Sequence, residues 1–289
     1  MRPLFFILLL LLPLRAAVGE AEPPEDIRLA PVAFEALSEQ TISPLGRKAL
    51  ALEPKKWRHA ETDHFVIHFR RATEAQRAVR EIEYTLWFTA RLLQAAPERY
   101  AKKSHVYIFS GTKEWKTFLM ETDAPSWSAS FAWGDELYLN IGGIRQGFDS
   151  NLLAHETTHA AVARLYPDRR WPLWLNEGFA EYVGSASVAA RKNQRVKRHQ
   201  SELDQADLSL DELFAIQVYP KEDAKIHRLY QSSERLVRFL MDELPADRIA
   251  RFVEVVLGGK PFREAVLEVY GDQLTDYDDF TRRFAKAAR

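Results

Sequence analysis

Apolar residues recur along this chain with two periods, a strand-like one in the first half and a helix-like one in the second. His64–Phe69 (HFVIHF) alternates and is rich in aromatics, which predicts a strand. Over residues 73–95, Ala75, Ala78, Val79, Ile82, Leu86 and Leu93 fall at roughly helical spacing and predict an amphipathic helix. Ser104–Gly111 (SHVYIFSG) predicts a second strand, with a short helix following around Lys113–Met120. Ser128–Ile141 (SASFAWGDELYLNI) predicts a strand or a hairpin turning at Gly134-Asp135 and ended by Gly142-Gly143. A helix starts at Asp149 or Ser150, either a good N-cap, and runs through Tyr166. The segment Tyr166-Pro167-Asp168-Arg169-Arg170 breaks it, and Pro172 suits the first turn of the next helix. Beyond Ala190 the spacing is almost entirely helical. Ser209-Leu210-Asp211-Glu212 has capping-box spacing, and helices are expected at about 224–243, 246–257, 261–270 and 275–287. There is no internal repeat. The pattern predicts an α+β fold, with a mixed α/β N-terminal half and a mainly helical C-terminal half.

The first residues read as an address. Arg2 precedes the apolar run Leu4–Leu14, and the small residues Ala16, Ala17, Gly19 and Ala21 follow it. The run is shorter than the roughly 20 residues that span a bilayer. Residues 1–21 are therefore expected to be a signal peptide cut after Gly19 or Ala21, with an uncleaved membrane anchor as the alternative. The mature chain is expected to be soluble and exported, to a periplasm or outside the cell, with no stable membrane insertion. Residues 22–54 carry several prolines and little periodicity, and read as a tether or irregular N-terminal extension to one domain over 55–289.

Composition narrows the chemistry. Of 289 residues, 46% are hydrophobic and 28% charged, an ordinary globular balance. A formal net charge of −1 supplies no electrostatic argument for nucleic acid or an anionic membrane. The chain has no cysteine, so a transition-metal site must use histidine and carboxylate, and a cysteine nucleophile is impossible.

Those ligand types occur together in HETTHAAVARLYPDRRWPLWLNEGFAEYV, His155–Val183. His155 and His159 stand four apart on a predicted helix, one above the other, so both imidazoles can reach one ion. Glu156 points to the side, within reach of a metal-bound water, where a general base belongs. Apolar flanks on both sides predict a buried helix, and buried histidines and a glutamate need a reason. Catalytic zinc takes three protein ligands. Glu177 follows His159 by eighteen residues, with the break at Pro167–Arg170 midway between them, so two helices packed across that turn bring Glu177 level with His159. Glu181 lies one turn beyond Glu177 and can accept from the free ring nitrogen of a ligating histidine. Zinc fits such a site, as do cobalt and manganese.

HETTH followed by WLNEGFAEY resembles the gluzincin branch of zinc peptidases, in particular the peptidase MA-like domains related to the aminopeptidase N catalytic domain. The close match covers about 30 residues. The resemblance implies a zincin-like (thermolysin-like) fold with His155, His159 and Glu177 as zinc ligands, Glu156 as base, and an extended strand beside the metal that pairs with a peptide or protein substrate. Ser128–Ile141 is the candidate strand. It also implies an oxyanion tyrosine after the ligand glutamate. Tyr230 shares an inward helical face with Ile226, Leu229, Ser233, Leu236, Val237 and Leu240, and is preferred to His227; a core tyrosine satisfied by Ser233 is the other reading. The chain departs from that family in lacking the G-x-M-E-N segment that holds a free α-amino group, and the separate β-domain before it. An endopeptidase is therefore expected rather than an aminopeptidase, the rival being a zinc-binding assembly module without turnover. The basic run Arg191–His199 reads as a solvated face, and Trp57, Trp127, Trp133, Trp171 and Trp174 as core or cleft wall. Oligomeric state leaves no mark in the sequence.

Overall fold

The computed structural model describes residues 23–24, 27–122, 124, 128–141, 149–194 and 207–287. The leader, Gly142-Gly143, Trp127 and residues 195–199 of the basic run lie outside the described residues.

Five strands form one mixed sheet: β1 (Arg58–Glu61), β2 (Phe65–Phe69), β3 (Ser104–Phe109), β4 (Ser130–Trp133) and β5 (Glu136–Asn140), in the order β1-β2-β3-β5-β4. The middle three are parallel, and β1 and β4 close the edges antiparallel. β4 and β5 make a hairpin through Gly134-Asp135, where Gly134 takes a φ of +59°, a conformation open to glycine at no steric cost. β2, β3 and β5 are buried at every position, because both faces of the sheet are covered.

On one face, α2 (Ala72–Leu92) and α4 (Ser150–Leu165) pack on Phe65, Ile67, Val106, Ile108, Leu137 and Leu139. The alternate positions Tyr107, Phe109 and Tyr138 point to the opposite face, where α1 (Pro44–Ala51) and α3 (Thr112–Leu119) supply Ala49, Trp115 and Phe118. Residues 22–54 are thus more than a tether. Ser43 caps α1 by accepting from the Gly46 N–H and donates to Glu136 Oε2 at 2.7 Å, with Pro44 in the first turn. Ahead of α1, the chain wraps the β1 edge: the Val32 N–H donates to the His59 carbonyl at 2.8 Å, and Ser38 donates to Glu61. β1 itself was not expected from the sequence, since RHAE has no apolar alternation.

Three histidines cross this second face in a line. His59 Nδ1 lies 2.8 Å from His68 Nδ1, and His68 Nε2 lies 2.9 Å from His105 Nδ1. The Phe34 ring covers the first two, and His68 stacks on Tyr107. Burial lowers all three, His68 to about 2, where the neighbouring imidazoles add to the effect.

The helical half holds the largest core. It comprises α5 (Leu173–Arg191), α6 (Leu210–Ala215), α7 (Asp223–Asp242), α8 (Ile249–Leu257), α9 (Phe262–Tyr270) and α10 (Tyr277–Ala287), close to the expected spans. Ser209 and Glu212 form the expected capping box. Pro172 is the N-cap of α5, one position before the first turn. Glu81 on α2 ties the three central helices together, accepting from Arg191 at the end of α5 and from Ser150 Oγ at the start of α4. Arg191, the first residue of the basic run, is thereby structural. Trp57, Trp171 and Trp174 are buried, while Trp133 is 58% exposed.

Candidate metal centre

Helix α4 starts where Asp149 accepts from the N–H groups of Asn151 and Leu152. Its middle turn carries His155, Glu156 and His159, wedged between the sheet and α5. Threonines 157 and 158 donate to the carbonyls four residues back, which satisfies their hydroxyls inside the buried helix. Across the Pro167–Arg170 turn, α5 packs on α4 and brings Glu177 to the two histidines.

The Nε2 atoms of His155 and His159 lie 3.0 Å apart, and Glu177 Oε2 lies 3.6 Å from each. A tetrahedral ion with bonds of about 2.0–2.2 Å separates its donor atoms by roughly 3.3–3.6 Å, so this triangle lies within about 0.3 Å of that spacing. Glu177 is completely buried, and its Oε2 has no hydrogen-bond partner. A buried carboxylate oxygen without a donor is costly unless something else satisfies it. The donor set, two imidazoles and one carboxylate, is that of a zinc site with an open position. Among the described residues no other group of three or more such side chains is close enough to hold an ion.

Electrostatics tie the three together. Burial raises the Glu177 carboxyl, but His159, His155 and the Tyr219 hydroxyl reverse this and hold it at about 2. Burial lowers His159, yet Glu177, Glu156 and the adjoining Asn176 side chain lift it to about 9. Glu156 moves up, chiefly through burial and also through Glu177, which suits a base that must release its proton again. Its Oε2 accepts the Ala132 N–H at 3.1 Å, so edge strand β4 touches Glu156 directly.

Every site residue expected from the sequence except the alternative His227 meets here. Glu181 Oε1 lies 3.2 Å from His155 Nδ1, on the opposite side of the ring from the Nε2 that faces Glu177. The Tyr230 ring stacks on His155 at 6.0 Å, and its hydroxyl adjoins Glu177. Burial and then the Glu177 carboxylate raise Tyr230, so the hydroxyl stays a donor. His227 is exposed on α7.

Three contributors escaped the sequence reading. The Tyr219 hydroxyl donates to Glu177 Oε1, and Asn176 lies against His159. Gly178 lets α7 approach: a Cβ there meets the Ser233 carbonyl oxygen at 2.3 Å. Gly178→Ala is expected to push α7 away and lower stability by about 1–3 kcal/mol, read as a fall in Tm. An unchanged Tm means that the α5–α7 spacing has slack. The glycine of the N-E-G segment was the only advance signal among these, because close helix contact leaves no other mark in a sequence. A scan against protein-family models gives no match for this chain, and neither does a search of curated proteins.

Proposed function

We propose that the protein is an exported zinc-dependent endopeptidase with a zincin-like (thermolysin-like) fold. The observation that carries this is Glu177 Oε2, buried without a donor and equidistant from the two Nε2 atoms. The resemblance of HETTH and WLNEGFAEY to gluzincins supports it, as does the leader for export.

His155, His159 and Glu177 would hold the ion, which would polarise the scissile carbonyl and acidify a water there. Glu156 accepts the proton of that water and returns it to the departing amine. The Ala132 N–H steadies Glu156 while it does so. Tyr230 donates its hydroxyl to the oxygen on which negative charge develops. Strand β4 offers backbone groups to an extended substrate, giving affinity with little dependence on side chains. The missing amino-group clamp favours cleavage inside a chain.

The test is a peptide-library digestion by the zinc-loaded chain and its Glu156→Gln variant. Cleavage by wild type, reduced at least about 100-fold in a variant that still binds zinc, is the expected result. No cleavage by zinc-loaded wild type of any peptide in the library overturns the reading as a peptidase.

A further inference from the structure

Tyr219 reaches the metal centre from outside it. It lies in the segment joining α6 to α7, with the residue as a whole 52% exposed and the neighbouring Val218 72% exposed. Its hydroxyl nevertheless points inward and donates to Glu177 Oε1. The two oxygens of Glu177 are thereby divided. Oε1 belongs to Tyr219, while Oε2 faces both imidazoles and has no hydrogen-bond partner.

We propose that Tyr219 is a positioning residue that makes Glu177 a one-oxygen ligand and so preserves the open coordination place. The inference rests on the reading of His155, His159 and Glu177 as metal ligands. A carboxylate can bind an ion through one oxygen or both. With Oε1 engaged by the Tyr219 hydroxyl, only Oε2 is offered. Two imidazoles and one oxygen leave the fourth tetrahedral position for water or a substrate carbonyl. Without the hydroxyl, Glu177 is free to turn and grip the ion with both oxygens, crowding that position.

Tyr219 differs from Tyr230 in this. Tyr230, on helix α7, stacks on His155 with its hydroxyl also beside Glu177, and is the donor proposed above for the reacting oxygen. Tyr219 serves the ligand and comes from a surface connection. Partners of metal ligands are typically worth about 10- to 100-fold in affinity.

The experiment titrates zinc and cobalt(II) into metal-free wild type and Tyr219→Phe, following zinc by chelator competition and cobalt by its visible absorption. Four-coordinate cobalt(II) absorbs strongly in the visible and five- or six-coordinate cobalt weakly, so the spectrum reports the ligand count. The variant is expected to bind zinc about 10- to 100-fold more weakly and to show weakened cobalt bands, while the metal-free protein still unfolds cooperatively at a Tm lowered only by the loss of one hydrogen bond. The phenyl ring keeps the exposed packing, so a folding defect shows in that Tm. Zinc affinity or a cobalt spectrum equal to wild type overturns the role of Tyr219 and leaves the ligand reading standing. Wild type that binds neither ion overturns both.

Discussion

Glu177→Ala is expected to purify without metal under conditions where wild type holds about one zinc per chain and Glu156→Ala keeps it. Apparent binding energies of four-ligand zinc sites, about 10–16 kcal/mol, imply about 3 kcal/mol per ligand, or roughly 10²–10³-fold in affinity. The variant also changes how binding depends on pH. In metal-free wild type His159 is held at about 9, so at neutral pH zinc must displace a proton from its Nε2 side. Apparent affinity therefore rises about tenfold per pH unit up to roughly pH 9 and then levels. Without the Glu177 carboxylate, burial dominates His159 and the ring is neutral at pH 7, so calorimetry in buffers of different ionisation enthalpy should lose that proton release. Elemental analysis reads the first effect. Zinc retained at wild-type affinity by Glu177→Ala removes Glu177 from the ligand set.

The second large effect is expected far from the metal. The His59–His68–His105 line is buried neutral, and each member titrates below its usual 6.5. The unfolded chain takes up protons first as pH falls, so the contribution of these three histidines is level above pH 6.5 and declines below it, until the folded values are reached. His68, held at about 2, contributes about 1.4 kcal/mol of loss per pH unit, or about 2–3 kcal/mol between pH 6.5 and 4.5. His68→Phe keeps an aromatic ring on Tyr107 but deprives His59 and His105 of a partner. It should cost about 1–3 kcal/mol at pH 7 and make the acid slope shallower. Urea denaturation at a series of pH values measures both. A slope equal to wild type shows that His68 is not a source of the acid sensitivity.

What could be read in advance divides along a physical line. The metal triangle was legible because helical periodicity stacks His155 on His159 and one turn returns Glu177 to them. The β4–β5 hairpin and the five long helices were legible for the same reason, local spacing. The histidine line was not, since it depends on strand register: His59 opposes His68 only through antiparallel pairing, and His105 joins through the parallel neighbour. Tyr219 sits in an aperiodic connection, where nothing local says which carboxylate its hydroxyl meets. Residues 27–43 looked irregular because their few contacts are with elements distant in sequence, Ile27 and Leu29 with Gln76 on α2 and Val32 and Ser38 with β1, although Ser43-Pro44 was a helix start in plain view.

The wrapped β1 edge bears on how copies of this protein can meet. A sheet normally has two open sides, and strands adding to both can propagate without end. Here the Val32–His59 backbone bond and the Ser38–Glu61 side-chain contact cover part of the β1 side, and β4 forms the other edge. Two molecules meeting through β4 consume both available edges and stop at a closed pair, each shielding the other's Glu156.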